Sequence, residues 1–162
     1  MKPMRRILLL LMGLFLTQFS MAQTAPTDSL DDMTYWDPLM DAIIEHESGG
    51  NPNARCGIYL GPMQIAPVLV RQCNILLKAR KRPERFTQND RRSIEKSKQM
   101  FVLIMSEYNR DRDIDKAIRI WAAGPHYSIK GTQKHVKSIR AIMERQQAAK
   151  AAKAAKAQDS QK

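Results

Sequence analysis

Residues 39–52 read Leu39-Met40-Asp41-Ala42-Ile43-Ile44-Glu45-His46-Glu47-Ser48-Gly49-Gly50-Asn51-Pro52. Met40, Ile43 and Ile44 recur at the spacing of one face of an α-helix. Glu47 comes one helical step further on, so the stripe that should enter the core also carries a carboxyl group. The glycines and the proline that follow end the helix. The segment therefore predicts a core helix with an acidic side chain at its C-terminal end.

Further apolar stripes with helical spacing occupy the rest of the chain, and no strand pattern is longer than a few residues. The sequence therefore predicts a mainly α fold with at most a small β-hairpin, which would lie in the loop between Pro52 and Gly61. Helices are predicted from Asp37-Pro38 onward, at 67–79, after a capping box at Thr87–Asp90, around 114–121 and at 132–144.

The first residues have the layout of a secretory signal peptide. A basic segment at 1–6 precedes an apolar run at 7–16, and Ser20-x-Ala22 supplies the small residues of a cleavage site. The apolar run is shorter than the roughly 20 residues of a stable membrane span. We predict cleavage after Ala22 and a periplasmic or cell-wall-associated protein that meets the membrane only before cleavage. An uncleaved membrane anchor is the alternative.

The 140 residues after the signal peptide suffice for one domain with its own core, not two. We predict a flexible lead-in at 23–34, the domain at 35–146 and a solvated Ala/Lys-rich tail at 147–162. Without the signal peptide the formal charge falls from +11 to +8. On an exported protein this charge favours anionic lipid or an anionic wall polymer over nucleic acid.

The chain has two cysteines, Cys56 and Cys73. Outside the cytoplasm such a pair can form a disulfide, and two small buried thiols are equally compatible with the spacing. Amidase chemistry that uses a cysteine and a histidine is a weaker alternative, because neither cysteine stands in a convincing nucleophile context.

A carboxyl group at the position of Glu47 has the surroundings that a glycosidase acid needs. The apolar stripe removes water from it and the negative end of the helix dipole lies close by, and both disfavour the charged form. An acid that keeps its proton can give it to the leaving oxygen of a glycosidic bond. A surface carboxylate or an ion-pair partner is the commoner role for a glutamate in a last helical turn.

Four short motifs follow one another along the chain. The first is Glu47-Ser48-Gly49-Gly50-Asn51-Pro52-Asn53-Ala54, and the second is Gly61-Pro62-Met63-Gln64-Ile65-Ala66-Pro67. The third is Trp121-Ala122-Ala123-Gly124-Pro125, and the fourth is Thr132-Gln133-Lys134-His135-Val136. In order and spacing they resemble Glu-Ser-x-x-Asn-Pro-x-Ala, Gly-Leu-Met-Gln-Ile-x-Pro, Tyr-Asn-Ala-Gly-Pro and Glu-Thr-x-x-Tyr-Val of the soluble lytic transglycosylases, a lysozyme-like family.

The resemblance spans about 39–143 and implies a lysozyme-like helical domain that cuts the glycan strands of peptidoglycan without a cofactor. It implies Glu47 as the single catalytic residue, which protonates the bond between N-acetylmuramic acid and N-acetylglucosamine. The residues expected to contact the substrate are Ser48, Tyr59, Met63, Gln64, Trp121 and His135. Core packing is an alternative for Met63 and the favoured one for Trp121, and Tyr59 could simply sit in a turn. The small single domain would suit an enzyme that opens the wall for a secretion or conjugation machine.

The chain departs from the family pattern at four positions. It has Ala122 where the pattern has asparagine, Trp121 and His135 where it has tyrosine, and Gly131 where it has glutamate. A wall-binding or scaffold protein of the same fold is therefore the main alternative, and a hydrolytic muramidase is another. A nucleic-acid binder using the basic residues of 78–92 ranks lower, because the chain is predicted to be exported.

A metal ion is not predicted. The stretch that begins His46-Glu47 starts like the zinc-protease pattern His-Glu-x-x-His, but Gly50 stands where the second histidine is needed. The chain's histidines, His46, His126 and His135, show no ligand spacing.

Overall fold

The computed structural model describes residues 30–159, so the predicted signal peptide, its cleavage site and the start of the lead-in lie outside the described residues. The described part is mainly helical with one two-stranded antiparallel hairpin, which confirms the predicted fold class. Its elements are α1 (Leu30–Ser48), β1 (Arg55–Cys56), β2 (Tyr59–Leu60), α2 (Pro67–Ala79), a 3₁₀ helix (Gln88–Arg92), α3 (Ile94–Tyr108), α4 (Ile114–Ala123) and α5 (Ile129–Asp159).

Among the described helices, none combines the length and the apolar character needed to cross a bilayer.

α3 lies at the centre of the core. Its residues Met100–Met105 are all buried, as expected of a helix that is apolar on every side and covered by its neighbours. The buried face of α1 packs against it, and the ring of Trp36 meets that of Phe101 edge-on at 5.7 Å between centroids. The other end of the same face carries Glu47, so the core fixes the helix that holds the candidate acid.

α1 begins at Leu30, so the predicted start at Asp37-Pro38 is wrong and residues 30–34 of the predicted lead-in are helical. Pro38 lies inside the helix, where it removes one backbone donor. Trp36, just before the proline, is only 2% exposed. Burial of this large side chain stabilises helical structure in residues that the local sequence signals place before the helix.

Two acidic residues near the predicted helix start pair with a lysine of α3. Asp37 and Asp41 lie one turn apart in mid-helix, and Lys98 of α3 donates hydrogen bonds to them at 3.0 and 2.8 Å. Burial lowers the pKa of Lys98, but the hydrogen bonds and charges of Asp41 and Asp37 outweigh it, so the pKa is raised overall. The group therefore ties α3 to α1 as a cation.

The predicted capping box at Thr87–Asp90 exists, but it opens the 3₁₀ helix instead of α3. The backbone N–H of Thr87 donates to Asp90 Oδ2 at 2.6 Å. α3 begins afterwards, where the hydroxyl of Ser93 accepts from the backbone N–H of Lys96. The same stretch thus contains two separate helix starts.

α5 is one continuous helix that includes most of the predicted tail. Its first turns are anchored by the buried Val136 and Ile139, and side chains from 147 to 158 are exposed. The alanines there supply helix propensity but little apolar surface to bury.

The two cysteines are not bonded to each other. Cys56 is exposed on β1, whereas Cys73 is buried in α2, where its thiol donates weakly to the carbonyl oxygen of Met100 at 3.8 Å. The fold therefore decides against a Cys56–Cys73 disulfide.

Candidate active site

Glu47 lies in the last turn of α1, and its side chain is 21% exposed. The helix ends directly behind it, where Gly49 and Gly50 have φ of 62° and 86°. These left-handed values turn the chain sharply away from the helix axis and suit glycine. Because the chain leaves at this point, the carboxyl group faces open space instead of a following helical turn.

Ser48 fastens the end of α1 to the neighbouring loop. Its hydroxyl donates to the carbonyl oxygen of Pro62 at 2.8 Å and accepts from the backbone N–H of Gly50 at 3.1 Å. It does not line the cavity described below. The structure therefore gives Ser48 a positioning role beside the acid, whereas the sequence predicts a contact with the substrate.

The loop after the hairpin presents Gln64 towards Glu47. Gln64 has φ of 47°, a left-handed value that a non-glycine residue adopts at a cost of about 1–3 kcal/mol and that is common at functional sites. Its side-chain nitrogen donates to the carbonyl oxygens of Ala54 and Gly61 at 3.1 and 2.8 Å. With the amide N–H groups used inside the loop, the amide oxygen is the group left to meet a ligand.

Glu47 opens into a cavity of about 330 Å³, at the lower end of the range for ligand sites. It brings together most of the predicted site residues. Of the described residues that line it, Glu47 alone has a carboxyl group and none is lysine or arginine. The lining residues are Glu47, Cys56, Tyr59, Met63, Gln64, Trp121, Ala122 and His135.

A second depression of about 430 Å³ continues from the first and shares Tyr59, Gln64, Trp121 and Ala122 with it. Its far side includes Tyr108 and the backbone at Gly124. The two together form an elongated surface with aromatic side chains along it. Such a shape suits an extended ligand better than a compact one.

The predicted groove residues divide by burial. Met63 is fully buried in the core and reaches the cavity only as part of its floor. Trp121 packs on the core, with its ring 5.1 Å from that of Phe101, and also lines both depressions. Tyr59 is 46% exposed at the rim. Trp121 therefore both packs against the core and lines the two depressions, whereas Met63 is mainly a core residue.

Two histidines converge on the acid. His46 Nδ1 lies 3.2 Å from Glu47 Oε1, and His135 Nε2 lies 3.9 Å from the same oxygen. The two imidazole rings are 5.2 Å apart between centroids. The sequence predicts a site role for His135 but none for His46, because their closeness depends on the packing of α5 against α1.

Arg119 is a functional candidate that sequence reasoning missed. It is only 9% exposed and donates 2.8 Å hydrogen bonds to the carbonyl oxygen of Ile129, to Thr132 Oγ1 and to Gln133 Oε1. These groups form the first turn of α5, one turn before His135. The available signal was a lone arginine in the apolar run of α4.

Arg119→Met should destabilise the fold by about 2 kcal/mol, because the buried Thr132 and the start of α5 lose their charged donor. Urea unfolding would measure this. Lys116→Met is the matched control, since Lys116 pairs with Asp111 at an exposed position of the same helix and such exposed pairs contribute little to stability. Equal effects of the two substitutions would contradict the positioning role of Arg119.

A larger cavity of about 590 Å³ lies elsewhere, lined in part by Asp32, Arg80, Glu107 and Arg112. Its charged groups are engaged with one another, Arg80 with Glu107 at 2.9 Å and Arg112 with Asp32. This cavity has the character of a satisfied ion-pair surface, with no histidine and no group prepared for proton transfer among its described lining residues.

The basic stretch at 78–92 is largely used within the fold. Arg91 is buried at 7% exposure and donates to the carbonyl oxygens of Ile58 and Ile65. Arg82 forms hydrogen bonds to Glu84 that lower the pKa of that carboxyl to about 2. The interpretation of Arg91 as part of a surface patch for nucleic acid is therefore wrong.

Comparison with known proteins gives no match: no family model, no curated protein and no solved structure is significantly similar to this chain.

Proposed function

We propose that the protein is an exported enzyme that cuts the β-1,4 bond between N-acetylmuramic acid and N-acetylglucosamine in peptidoglycan, as a lytic transglycosylase. The observation that carries the proposal is the placement of Glu47. It is the one carboxyl group among the described residues around a cavity walled by Tyr59, Gln64 and Trp121. Each of the four motifs that resemble those of lytic transglycosylases contributes at least one lining residue, namely Glu47, Gln64, Trp121 and His135.

The lone carboxyl group favours a single-acid mechanism over one with two carboxylates. Glu47 gives its proton to the glycosidic oxygen, and the acetamide of the muramic acid stabilises the oxocarbenium-like centre, a substrate-assisted variant of glycoside cleavage. The ionised Glu47 then takes the proton of the C6 hydroxyl, whose oxygen closes a 1,6-anhydro ring. Attack by water in place of that hydroxyl would give a hydrolysed reducing end.

The histidines fit this cycle as neighbours of the carboxyl group. Both approach Oε1, so Oε2 is the oxygen that we assign to the proton transfer. His46 Nδ1 lies at hydrogen-bond distance from Oε1 and can donate to it in both states of the acid, because the proton of the neutral acid is on Oε2. His135 would occupy the place where the family pattern has tyrosine.

The aromatic groove suits a glycan strand. Sugar rings present apolar faces that pack on Trp121 and Tyr59, and hydroxyl and acetamide groups that pair with polar groups such as Gln64. The formal charge of +8 that remains without the predicted signal peptide also favours association with an anionic wall polymer. A secretion or conjugation machine remains the proposed setting for so small a cutter.

The test is digestion of purified peptidoglycan by the untagged protein after export, followed by mass spectrometry of the soluble fragments. Release of 1,6-anhydro muropeptides is the expected result. Fragments with hydrolysed reducing ends would show that the enzyme is a muramidase and not a transglycosylase. Binding to insoluble peptidoglycan without any released fragment, across pH and salt, would overturn catalysis in favour of the wall-binding alternative, for which the lost asparagine at Ala122 is the favouring observation.

A further inference from the structure

The cluster around the candidate acid has the composition of a metal site. His46, Glu47 and His135 each offer one ligand atom, and these three atoms all lie within 4.8 Å of one another. Two of the separations are shorter, 3.2 Å from His46 Nδ1 to Glu47 Oε1 and 3.9 Å from His135 Nε2 to the same oxygen. Each side chain is partly exposed, and Glu47 and His135 line the cavity, so an ion could reach the cluster from solvent.

The distances are close to those that a tetrahedral zinc site requires. Bonds of about 2.0–2.1 Å to imidazole nitrogen and carboxylate oxygen place neighbouring ligand atoms about 3.3–3.4 Å apart. The His46–Glu47 separation already meets this value. The His135–Glu47 separation of 3.9 Å exceeds this value by about 0.5 Å, and the His46–His135 separation, at most 4.8 Å, exceeds it by up to about 1.5 Å. The side chain of His135 is 43% exposed, so rotation about its own bonds can supply the change.

The ligand types of the three side chains favour zinc. Two neutral imidazoles and one carboxylate are the protein ligands of several open zinc sites, in which a fourth position holds water. Here the fourth position would face the cavity. None of the described residues that line that cavity is lysine or arginine, so the local field lacks the positive charge that dominates the rest of the chain.

We propose that His46, Glu47 and His135 bind one divalent transition-metal ion, with Zn²⁺ the best fit. The regulatory consequence rests on the proposed function: a carboxylate that ligates zinc cannot carry the proton that glycan cleavage needs. Bound zinc therefore holds the enzyme inactive, and removal of the ion releases Glu47. Binding of the metal ion does not depend on whether the protein cleaves glycan.

The direct test is titration of the untagged, metal-stripped protein with Co²⁺, followed by the visible absorption of a four-coordinate site, and with Zn²⁺ by calorimetry. One ion per chain is expected. His46→Gln and His135→Gln should each weaken binding at least about tenfold, the minimum expected when a group that supports a metal site is lost. His126→Gln is the matched control, because His126 is the chain's remaining histidine and lies exposed outside the cluster.

Equal affinity of the wild type and all three variants would overturn the site, as would the absence of saturable binding. Circular dichroism of each variant shows whether it is folded before its affinity is compared. The two histidine substitutions are independent, so loss of one variant to misfolding leaves the other to decide.

A second arm separates this proposal from the proposed function. Where glycan cleavage occurs, Zn²⁺ at a saturating concentration should abolish it and a chelator should restore it. Cleavage that persists with the site saturated would overturn the regulation. A protein that binds zinc through these residues but never cleaves peptidoglycan would support the metal site while contradicting the enzyme, so the two failures are distinguishable.

Discussion

Glu47→Gln is expected to abolish the release of soluble fragments from peptidoglycan. Glutamine has the same shape as the acid but has no proton to give and no charge with which to take one up. Loss of a general acid typically lowers the rate by about 10²–10⁴, and here one group serves both steps, so the loss should lie at or beyond the upper end. Quantified muropeptide release over time measures it.

Glu45→Gln is the matched control for this substitution. Glu45 lies two residues away on the same helix, but it is exposed and bonds to Arg145 and Gln146 of α5. The hydrogen bond from Gln146 and then that from Arg145 lower the pKa of Glu45, so it is ionised at neutral pH and unsuited to protonate a leaving group. Its replacement should leave cleavage within a few-fold of the wild type. Wild-type activity of Glu47→Gln would sink the mechanism.

The sequence predicts the local part of the site well. Glu47 on an apolar stripe, followed by two glycines, is a pattern contained within a single helix and its end. Gln64 and Trp121 were found because short motifs carry them, and both line the cavity. In each case the decisive information lies within a few residues of the side chain.

The long-range part of the site could not be predicted in this way. His46 and His135 meet at Glu47 only because α5 folds back on α1, and no local spacing encodes that contact. The same holds for Arg119, whose role depends on the polar groups of another helix. Ser48 was recognised as important, but its partner, the carbonyl oxygen of Pro62, belongs to a loop that sequence could not place.

The fold shows the same division. The helical class and the small hairpin follow from periodicity and from turn residues, whereas the start of α1 does not. Asp37-Pro38 has the features of a helix start, yet the buried Trp36 extends the helix back to Leu30. Tertiary burial outweighed a strong local signal, because burying the tryptophan side chain stabilises the fold by more free energy than the one missing hydrogen bond costs.

Gly61→Ala is expected to be the most destabilising single-methyl change in the described fold, by about 3 kcal/mol or more. Gly61 has φ of 83°, and a Cβ added there would lie 1.7 Å from the backbone carbonyl oxygen of Arg91. That oxygen cannot move aside, since Arg91 is itself buried and its guanidinium bonds the carbonyl oxygens of Ile58 and Ile65. Urea or thermal unfolding followed by circular dichroism would measure the loss.

Gly57→Ala separates this clash from ordinary backbone strain. Gly57 has φ of 58°, but a Cβ there would meet nothing within 4 Å, so the substitution should cost only the roughly 1–2 kcal/mol of a left-handed alanine. The difference between the two variants reports the close approach of the hairpin loop to the 3₁₀ helix. Because Gln64 bonds the carbonyl oxygen of Gly61, that approach also sets the wall of the cavity opposite Glu47. Equal losses in the two variants would mean that the loop can move away from Arg91, and with it the surface that we assign to the glycan.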